Sequence, residues 1–174
     1  MTATTTLERT SVRLPRRWRK AVLILHIIAG VGWIGADLVL LPLVLTGLTT
    51  DDGQPAATSY RAIGILVPWT VPALSLLILT TGVALGLGTK WGLLRYWWVA
   101  IKLVISLVLT TLVFGTLLPG VASLEVTDAT TGDQVRAAFE DPMMFLYPPV
   151  VSGALLVVSA ILSVTKPWGR TRNR

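Results

Sequence analysis

The stretch AVLILHIIAGVGWIGADLVLLPLVLTGL, residues Ala21–Leu48, decides the fold of this protein. His26 and Asp37 are its only ionisable side chains, and the run is long enough to cross a hydrocarbon core of about 30 Å. Lipid offers no hydrogen-bond partner to a free backbone amide or carbonyl, so a segment in this environment has to be helical. The stretch therefore predicts a transmembrane α-helix.

Three further stretches of the chain have the same apolar character. They are Ile63–Leu87, Trp97–Leu118 and Met143–Thr165. Lys102 is the only charged residue among them. The whole chain of 174 residues is 53% hydrophobic and 14% charged, with a mean hydropathy of +0.70, whereas a soluble domain carries about 25% charged residues. We therefore predict an all-α membrane protein, a four-helix transmembrane bundle over residues 21–165 with basic tails at 1–20 and 166–174.

The distribution of charge predicts how the bundle is oriented. Most basic residues lie in the two tails and the second connection: Arg9, Arg13, Arg16, Arg17, Arg19, Lys20, Lys90, Arg95, Lys166, Arg170, Arg172 and Arg174. Five of the seven tryptophans fall at the same end: Trp18, Trp91, Trp97, Trp98 and Trp168. The positive-inside rule then places both termini in the cytoplasm, as expected for a multi-pass protein of the bacterial inner membrane. The basic residues behind the net charge of +6 are therefore expected to contact the surface of the lipid bilayer and not nucleic acid.

Prolines lie toward the opposite end of three spans: Pro42 in the first, Pro68 and Pro72 in the second, and Pro148 and Pro149 in the fourth. Pro42 is expected to bend or end the first helix. Irregular backbone at membrane depth is tolerated around a wet cavity, which suggests a polar vestibule, although prolines are also common in membrane helices generally. In the third connection, residues 131–141 are predicted to form a short surface helix without a functional role.

Three ionisable residues lie within the spans, and each needs a partner or a function because burying it costs at least a few kcal/mol. His26 and Lys102 each lie about 7.5 Å from the start of a span that begins at the basic end, so they are predicted to share a depth. Asp37 lies about 16 Å beyond His26 along the same helix. Helical spacing places His26, Gly30, Trp33 and Asp37 on one face.

Each of these residues has a structural and a functional interpretation. Lys102 can extend toward the headgroups, Asp37 can bond to backbone groups freed by Pro42 or reach water, and His26 can hydrogen-bond across helices. The functional interpretation is contact with a ligand or cofactor, because a histidine beside small residues in a helical bundle can bind haem iron.

The rest of the composition limits the chemistry. The chain has no cysteine and one histidine, so a thiolate metal site is excluded and copper fits poorly. Met143 and Met144 begin the fourth span at the end opposite His26, which excludes a His/Met haem within one chain. A five-coordinate haem b, a haem with neutral Lys102 as a weak sixth ligand, and a haem shared with His26 of a second chain all stay open.

Two segments resemble a group of small bacterial membrane proteins. LHIIAGVGWIGADLVLLP (Leu25–Pro42) is similar to the first helix of the HemJ-type protoporphyrinogen oxidases, the CopD-type copper-resistance proteins and four-helix relatives without assigned chemistry. YWWVAIKLVISLVL (Tyr96–Leu109) resembles their Trp-x-x-x-Lys helix, and KPWG (Lys166–Gly169) resembles the four-helix relatives most. In the HemJ branch the first-helix histidine is associated with haem and the third-helix lysine with activity, so the resemblance implies those roles for His26 and Lys102.

Two functional hypotheses follow, and the sequence leaves open whether the protein is an enzyme. In the first, the protein binds haem or porphyrin near the inner leaflet in a redox role. His26 would be the axial ligand and Lys102 would pair with a propionate or act in catalysis, while Gly30 and Trp33 would form the wall. In the second, the protein is a non-enzymatic carrier of a small solute or ion, or a subunit of a larger membrane complex, with Asp37 at a polar entrance. Glycine-rich spacing in the first two spans also fits a homodimer.

Overall fold

The computed structural model describes residues 15–89, 92–126, 129–167 and 171, and within them the chain is helical throughout apart from its connections. The elements are α1 (Arg16–Thr49), α2 (Gly53–Gly88), α3 (Trp97–Leu112), a π-helical segment (Val113–Leu117), α4 (Leu118–Ala122), α5 (Gly132–Arg136), a 3₁₀ turn (Pro142–Phe145) and α6 (Tyr147–Thr165). Four helical runs are long and apolar enough to cross a membrane: Arg16–Thr49, Gly53–Gly88, Trp97–Ala122 and Pro142–Thr165. The prediction of an all-α fold with four membrane-spanning helices is confirmed.

The first two helices are longer than the apolar spans within them. α1 begins at Arg16 and α2 at Gly53, so only Thr50–Asp52 connect them. α2 starts this early because the Asp52 carboxylate caps it by accepting a hydrogen bond from the Gln54 amide at 3.0 Å. At 1.5 Å per residue each helix is about 50 Å long, which exceeds the hydrocarbon core. Parts of the predicted tails (1–14, 168–170 and 172–174) and Trp91 lie outside the described residues.

The four spans are antiparallel neighbours. α2 packs along α1 in the most extensive interface, α6 packs on α1, and α3 packs on α2 and α6. The first residues of α1 and α3 therefore lie at one end with the last residues of α2 and α6. We call this the basic end, because Arg16, Arg17, Arg19, Lys20, Arg95 and Lys166 lie there, and the other the acidic end, which carries Asp51, Asp52, Asp133, Glu140 and Asp141.

The prolines act differently from the sequence-based expectation. Pro42 was expected to bend or end α1, and the helix continues through it to Thr49, so it does not end there. Pro148 and Pro149 lie in the first turn of α6, where a helix has no need of the missing amide protons. The irregular backbone is found instead in the π-helical segment Val113–Leu117 and the 3₁₀ turn Pro142–Phe145.

Residues 129–145, which we call the acidic-end cap, fold over the turn between α1 and α2. The short helix predicted in this connection is present as α5. Its Val135 is buried in the core, and Phe139 and Phe145 pack against Tyr60 of α2 with ring centroids 4.7 and 5.7 Å away. The cap therefore extends the core past the end of the membrane spans.

Arg136 of α5 joins the cap to the carboxyl end of α1. Its Nη1 donates to the carbonyl oxygens of Gly47 at 3.2 Å and Thr50 at 2.8 Å, and its Nη2 pairs with Asp133 at 2.6 Å. These carbonyls lie in the last turn of α1 and at the residue directly after it, where a helix leaves carbonyls without amide partners.

Replacing Arg136 with methionine is expected to reduce the free energy of unfolding by about 1.5–3 kcal/mol, because charge-assisted hydrogen bonds to the α1 carbonyls are lost. Thermal unfolding in detergent measures this loss. Arg17→Met, at the exposed start of α1, is the matched control and should change stability by less than about 0.5 kcal/mol. Equal stability of the two variants would contradict the capping role.

Candidate ligand-binding site

Asp37 is buried inside the bundle, with 6% of its surface exposed. The Ser152 hydroxyl of α6 lies 2.8 Å from its Oδ2 and 2.6 Å from the Pro148 carbonyl oxygen, so its one proton is shared between these two acceptors. The other oxygen, Oδ1, accepts no hydrogen bond from the part of the chain that the structure describes. The interpretation in which Asp37 reaches water beyond the helix end is therefore wrong: the carboxyl group joins α1 to α6 and keeps one acceptor oxygen for another molecule.

A cavity of about 290 Å³ lies beside this carboxyl group, and we call it the Asp37 cavity. Its wall includes Trp33, Asp37, Val113, Thr116, Met144 and Ser152. The wall is otherwise dominated by the apolar side chains of α1, α2, the π-helical segment and α6. Small-molecule sites in proteins are usually apolar in this way, with a few polar groups that fix the ligand's orientation.

The Asp37 cavity opens sideways, between α3 and α6. Its lining residues on α1 and α2 are buried, whereas Leu112 on α3 and Tyr147 and Val151 on α6 are exposed. The π-helical segment follows Leu112 on the same side of this opening. The exposed part of the lining is therefore on the outer surface of α3 and α6, beside the buried Asp37.

Trp33 shares the wall with Asp37 and lies one helical turn before it, which places both side chains on one face of α1. The side chain is 1% exposed, and its Nε1–H donates to no acceptor among the described residues. A buried donor without a partner costs about 1–3 kcal/mol. Gly30, predicted to form the same wall, has open space where a Cβ atom would lie. Of the residues predicted to form one wall on α1, Trp33 and Asp37 therefore line the cavity, whereas Gly30 does not.

His26 lies nearer the basic end and is hydrogen-bonded to α2. Its Nδ1 is 2.8 Å from Thr81 Oγ1, and the Thr81 hydroxyl itself donates to the Leu77 carbonyl. A hydroxyl has one proton to donate, so Nδ1–H is the donor to Thr81, and a neutral imidazole then carries its lone pair on Nε2. The ring also packs over Gly82, whose added Cβ would lie 3.3 Å from Cε1.

Lys102 lies at the same end and is held by α6. Its Nζ donates to Ser163 Oγ at 2.9 Å and lies 4.7 Å from the centroid of the Trp98 ring. Lys102 is close enough to His26 for the two groups to interact electrostatically, which fits the predicted common depth. Each side chain nevertheless has its own hydrogen-bond partner.

The hydrogen-bond partners of the three ionisable residues were not predicted from the sequence. Ser152, Thr81 and Ser163 are small hydroxyl residues inside apolar spans, and each lies four residues after a carbonyl to which its hydroxyl is bonded. This local bond satisfies the hydroxyl within its own helix, so nothing in the sequence marks these three among the other serines and threonines. The π-helical segment of the cavity wall was missed as well.

The fold and the cavity together define a class: the chain is a multi-pass integral membrane protein with four membrane-spanning helices and a buried carboxyl group in an intramembrane cavity. Comparison with known proteins adds no family, since no family model, curated protein or solved structure matches the chain.

Proposed function

We propose that this membrane protein is a non-enzymatic carrier that binds an amphipathic small molecule in the Asp37 cavity. The ligand would be apolar over most of its surface and carry one cationic or hydrogen-bond-donating group. The observation that supports the proposal is a largely apolar cavity containing one buried carboxyl group, whose Oδ1 is not bonded within the described chain. An ionisable residue inside a membrane commonly marks a substrate site.

The position of the opening supports the route by which such a ligand arrives. A molecule with a long apolar part partitions into the bilayer before it meets the protein, and the exposed apolar lining on α3 and α6 is suited to contact that phase. The Asp37 carboxyl group attracts a cationic group more strongly there than in water, because the effective dielectric constant is low.

Three probes of equal chain length test the proposal: dodecylamine, dodecanol and dodecanoate. Titration calorimetry on the protein in nanodiscs, with empty nanodiscs subtracted, should rank the amine first, the alcohol second and the carboxylate last. The order follows from the charge of Asp37, since the apolar parts of the three probes differ by no more than one carbon atom. Equal affinities, or preference for the carboxylate, would contradict the proposal.

A second candidate function, haem or porphyrin binding at His26, is supported by a different observation. The Nδ1–H bond to Thr81 orients the imidazole and leaves the Nε2 lone pair for a metal, as second-shell hydrogen bonds do in metal-binding histidines. The residues fit a single axial ligand: His26 would bind the iron and Lys102 would lie near a propionate. Haem bound in this way would supply redox chemistry. Met144 lines the Asp37 cavity toward the acidic end, in keeping with the sequence-based exclusion of a His/Met pair.

Absorption spectra of the oxidised and dithionite-reduced protein test this second candidate. After haem supplementation we expect a Soret band with reduced α and β bands, and His26→Ala should lose them. Asp37→Asn is the control, because it lies about 16 Å away along α1 and should keep the spectrum. A colourless supplemented protein, or an unchanged spectrum in His26→Ala, would rule the second candidate out.

A further inference from the structure

The ammonium group of Lys102 does not use all of its hydrogen-bond donors within the described residues. Of its three N–H donors, one bonds to Ser163 Oγ, and no other hydrogen bond joins it to the described residues. Ser163 in turn donates to the Ser159 carbonyl, so its oxygen is fixed as an acceptor for the lysine. The Trp98 ring holds the ammonium from another side. Lys102 is therefore positioned firmly but is only partly satisfied.

Within the described residues, the basic end contains no carboxylate to balance this charge. Residues 15–36, 75–89, 92–108 and 155–167 hold no aspartate or glutamate. The charged group that interacts with Lys102 is instead a second cation, Lys166, directly after α6. Like charges gathered at membrane depth are unfavourable without an anion. An anion from outside the described residues would balance the charge of Lys102.

Lys102 lies close to the basic end of the bundle. Ser163, its partner, lies two residues before the last residue of α6, and Lys166 follows that helix directly. Trp18 and Trp97 are exposed at this end, where tryptophan rings sit at the membrane–water interface. A phosphate group at this level can reach Nζ, whereas the carboxyl group of Asp37 lies well beyond it along the bundle.

We propose that Lys102, positioned by Ser163 and Trp98, binds the phosphate of an anionic phospholipid at the basic end of the bundle. The lysine supplies a charge-assisted hydrogen bond to a phosphate oxygen, and Lys166 adds long-range attraction. The lipid tails lie along the surface of the bundle, so the site is selective for the headgroup. This lipid site is separate from the Asp37 cavity and does not depend on the function proposed for it.

Native mass spectrometry of the full chain in detergent tests the proposal, with phosphatidylglycerol and phosphatidylcholine offered at equal concentration. The wild type should retain phosphatidylglycerol preferentially. Lys102→Met should weaken that binding about tenfold, the size expected for one charge-assisted hydrogen bond. Lys20→Met is the matched control, because it removes one exposed charge from the same end, and it should leave the preference unchanged.

Two further measurements make every outcome decisive. Lys102→Arg keeps the charge and should keep the selectivity, so its result separates loss of binding from loss of folding. Inorganic phosphate at 10-fold excess over the lipid should not displace phosphatidylglycerol, because it lacks the tails. Equal loss in Lys20→Met and Lys102→Met, no loss in Lys102→Met, or complete displacement by inorganic phosphate would each overturn the proposal.

Discussion

Replacing Asp37 with asparagine is expected to lower the affinity for dodecylamine at least tenfold and to change the affinity for dodecanol little. Asparagine has nearly the same shape, and its amide oxygen can still accept the Ser152 hydroxyl proton, so the cavity keeps its form. Only the charge available to a cationic group is lost. Hydrogen bonds to charged groups contribute about 1.5–3 kcal/mol, which corresponds to a factor of ten or more in affinity.

Ser152→Ala is the matched control for this substitution. It removes the hydroxyl that bonds to Oδ2 but leaves the carboxyl group, so the preference for the amine over the alcohol should persist. Calorimetry with both probes on both variants gives the four affinities needed. An Asp37→Asn protein that still prefers the amine as strongly as the wild type would show that the carboxyl group does not contact the ligand.

Replacing Gly132 with alanine is expected to destabilise the protein by about 3 kcal/mol, at the upper end of ordinary overpacking effects. An added Cβ would lie 2.0 Å from the Thr50 carbonyl oxygen and 2.8 Å from Arg136 Nη1. The first of these atoms belongs to the backbone of the α1–α2 turn, to which the Gly132 amide is bonded through the Asp51 carbonyl at 2.8 Å. The clash can be relieved only by moving the acidic-end cap away from the turn.

Thermal unfolding in detergent, followed by tryptophan fluorescence, measures this loss of stability. Gly35→Ala is the control, because nothing lies within 4 Å of its added Cβ and alanine favours a helix over glycine by about 1 kcal/mol. The control should therefore be neutral or more stable than the wild type. If Gly132→Ala unfolds at the wild-type temperature, the close packing between the cap and the turn is wrong.

The sequence predicted the four spans because each is a nearly uncharged run that has to be helical in lipid. It did not predict that α2 begins at Gly53, since Asp51, Asp52 and Gln54 have the composition of a loop. Hydropathy does not predict where a helix begins once that helix extends beyond the hydrocarbon core. The early start of α2 depends instead on the Asp52 cap and on packing beneath residues 129–145. Pro42 does not end α1, although it cannot donate a backbone hydrogen bond to the preceding turn.

The candidate site was predicted only in part. The depth of each ionisable residue follows from counting residues along a helix, which placed His26 and Lys102 together and Asp37 apart from them. The contacts with Thr81, Ser163 and Ser152 could not be foreseen, because they depend on which faces of the helices meet. The Asp37 cavity is likewise a property of packing among four helices.

Photolabelling tests the central claim most directly. An alkylamine carrying a diazirine at the end of its chain is bound to the protein in nanodiscs, irradiated, and mapped by peptide mass spectrometry. We expect labels in Val113–Leu117 and Tyr147–Ser152, suppressed by excess dodecylamine and absent from Asp37→Asn. Labels spread evenly over lipid-facing side chains such as Ile65 and Trp69, and insensitive to dodecylamine, would contradict the account.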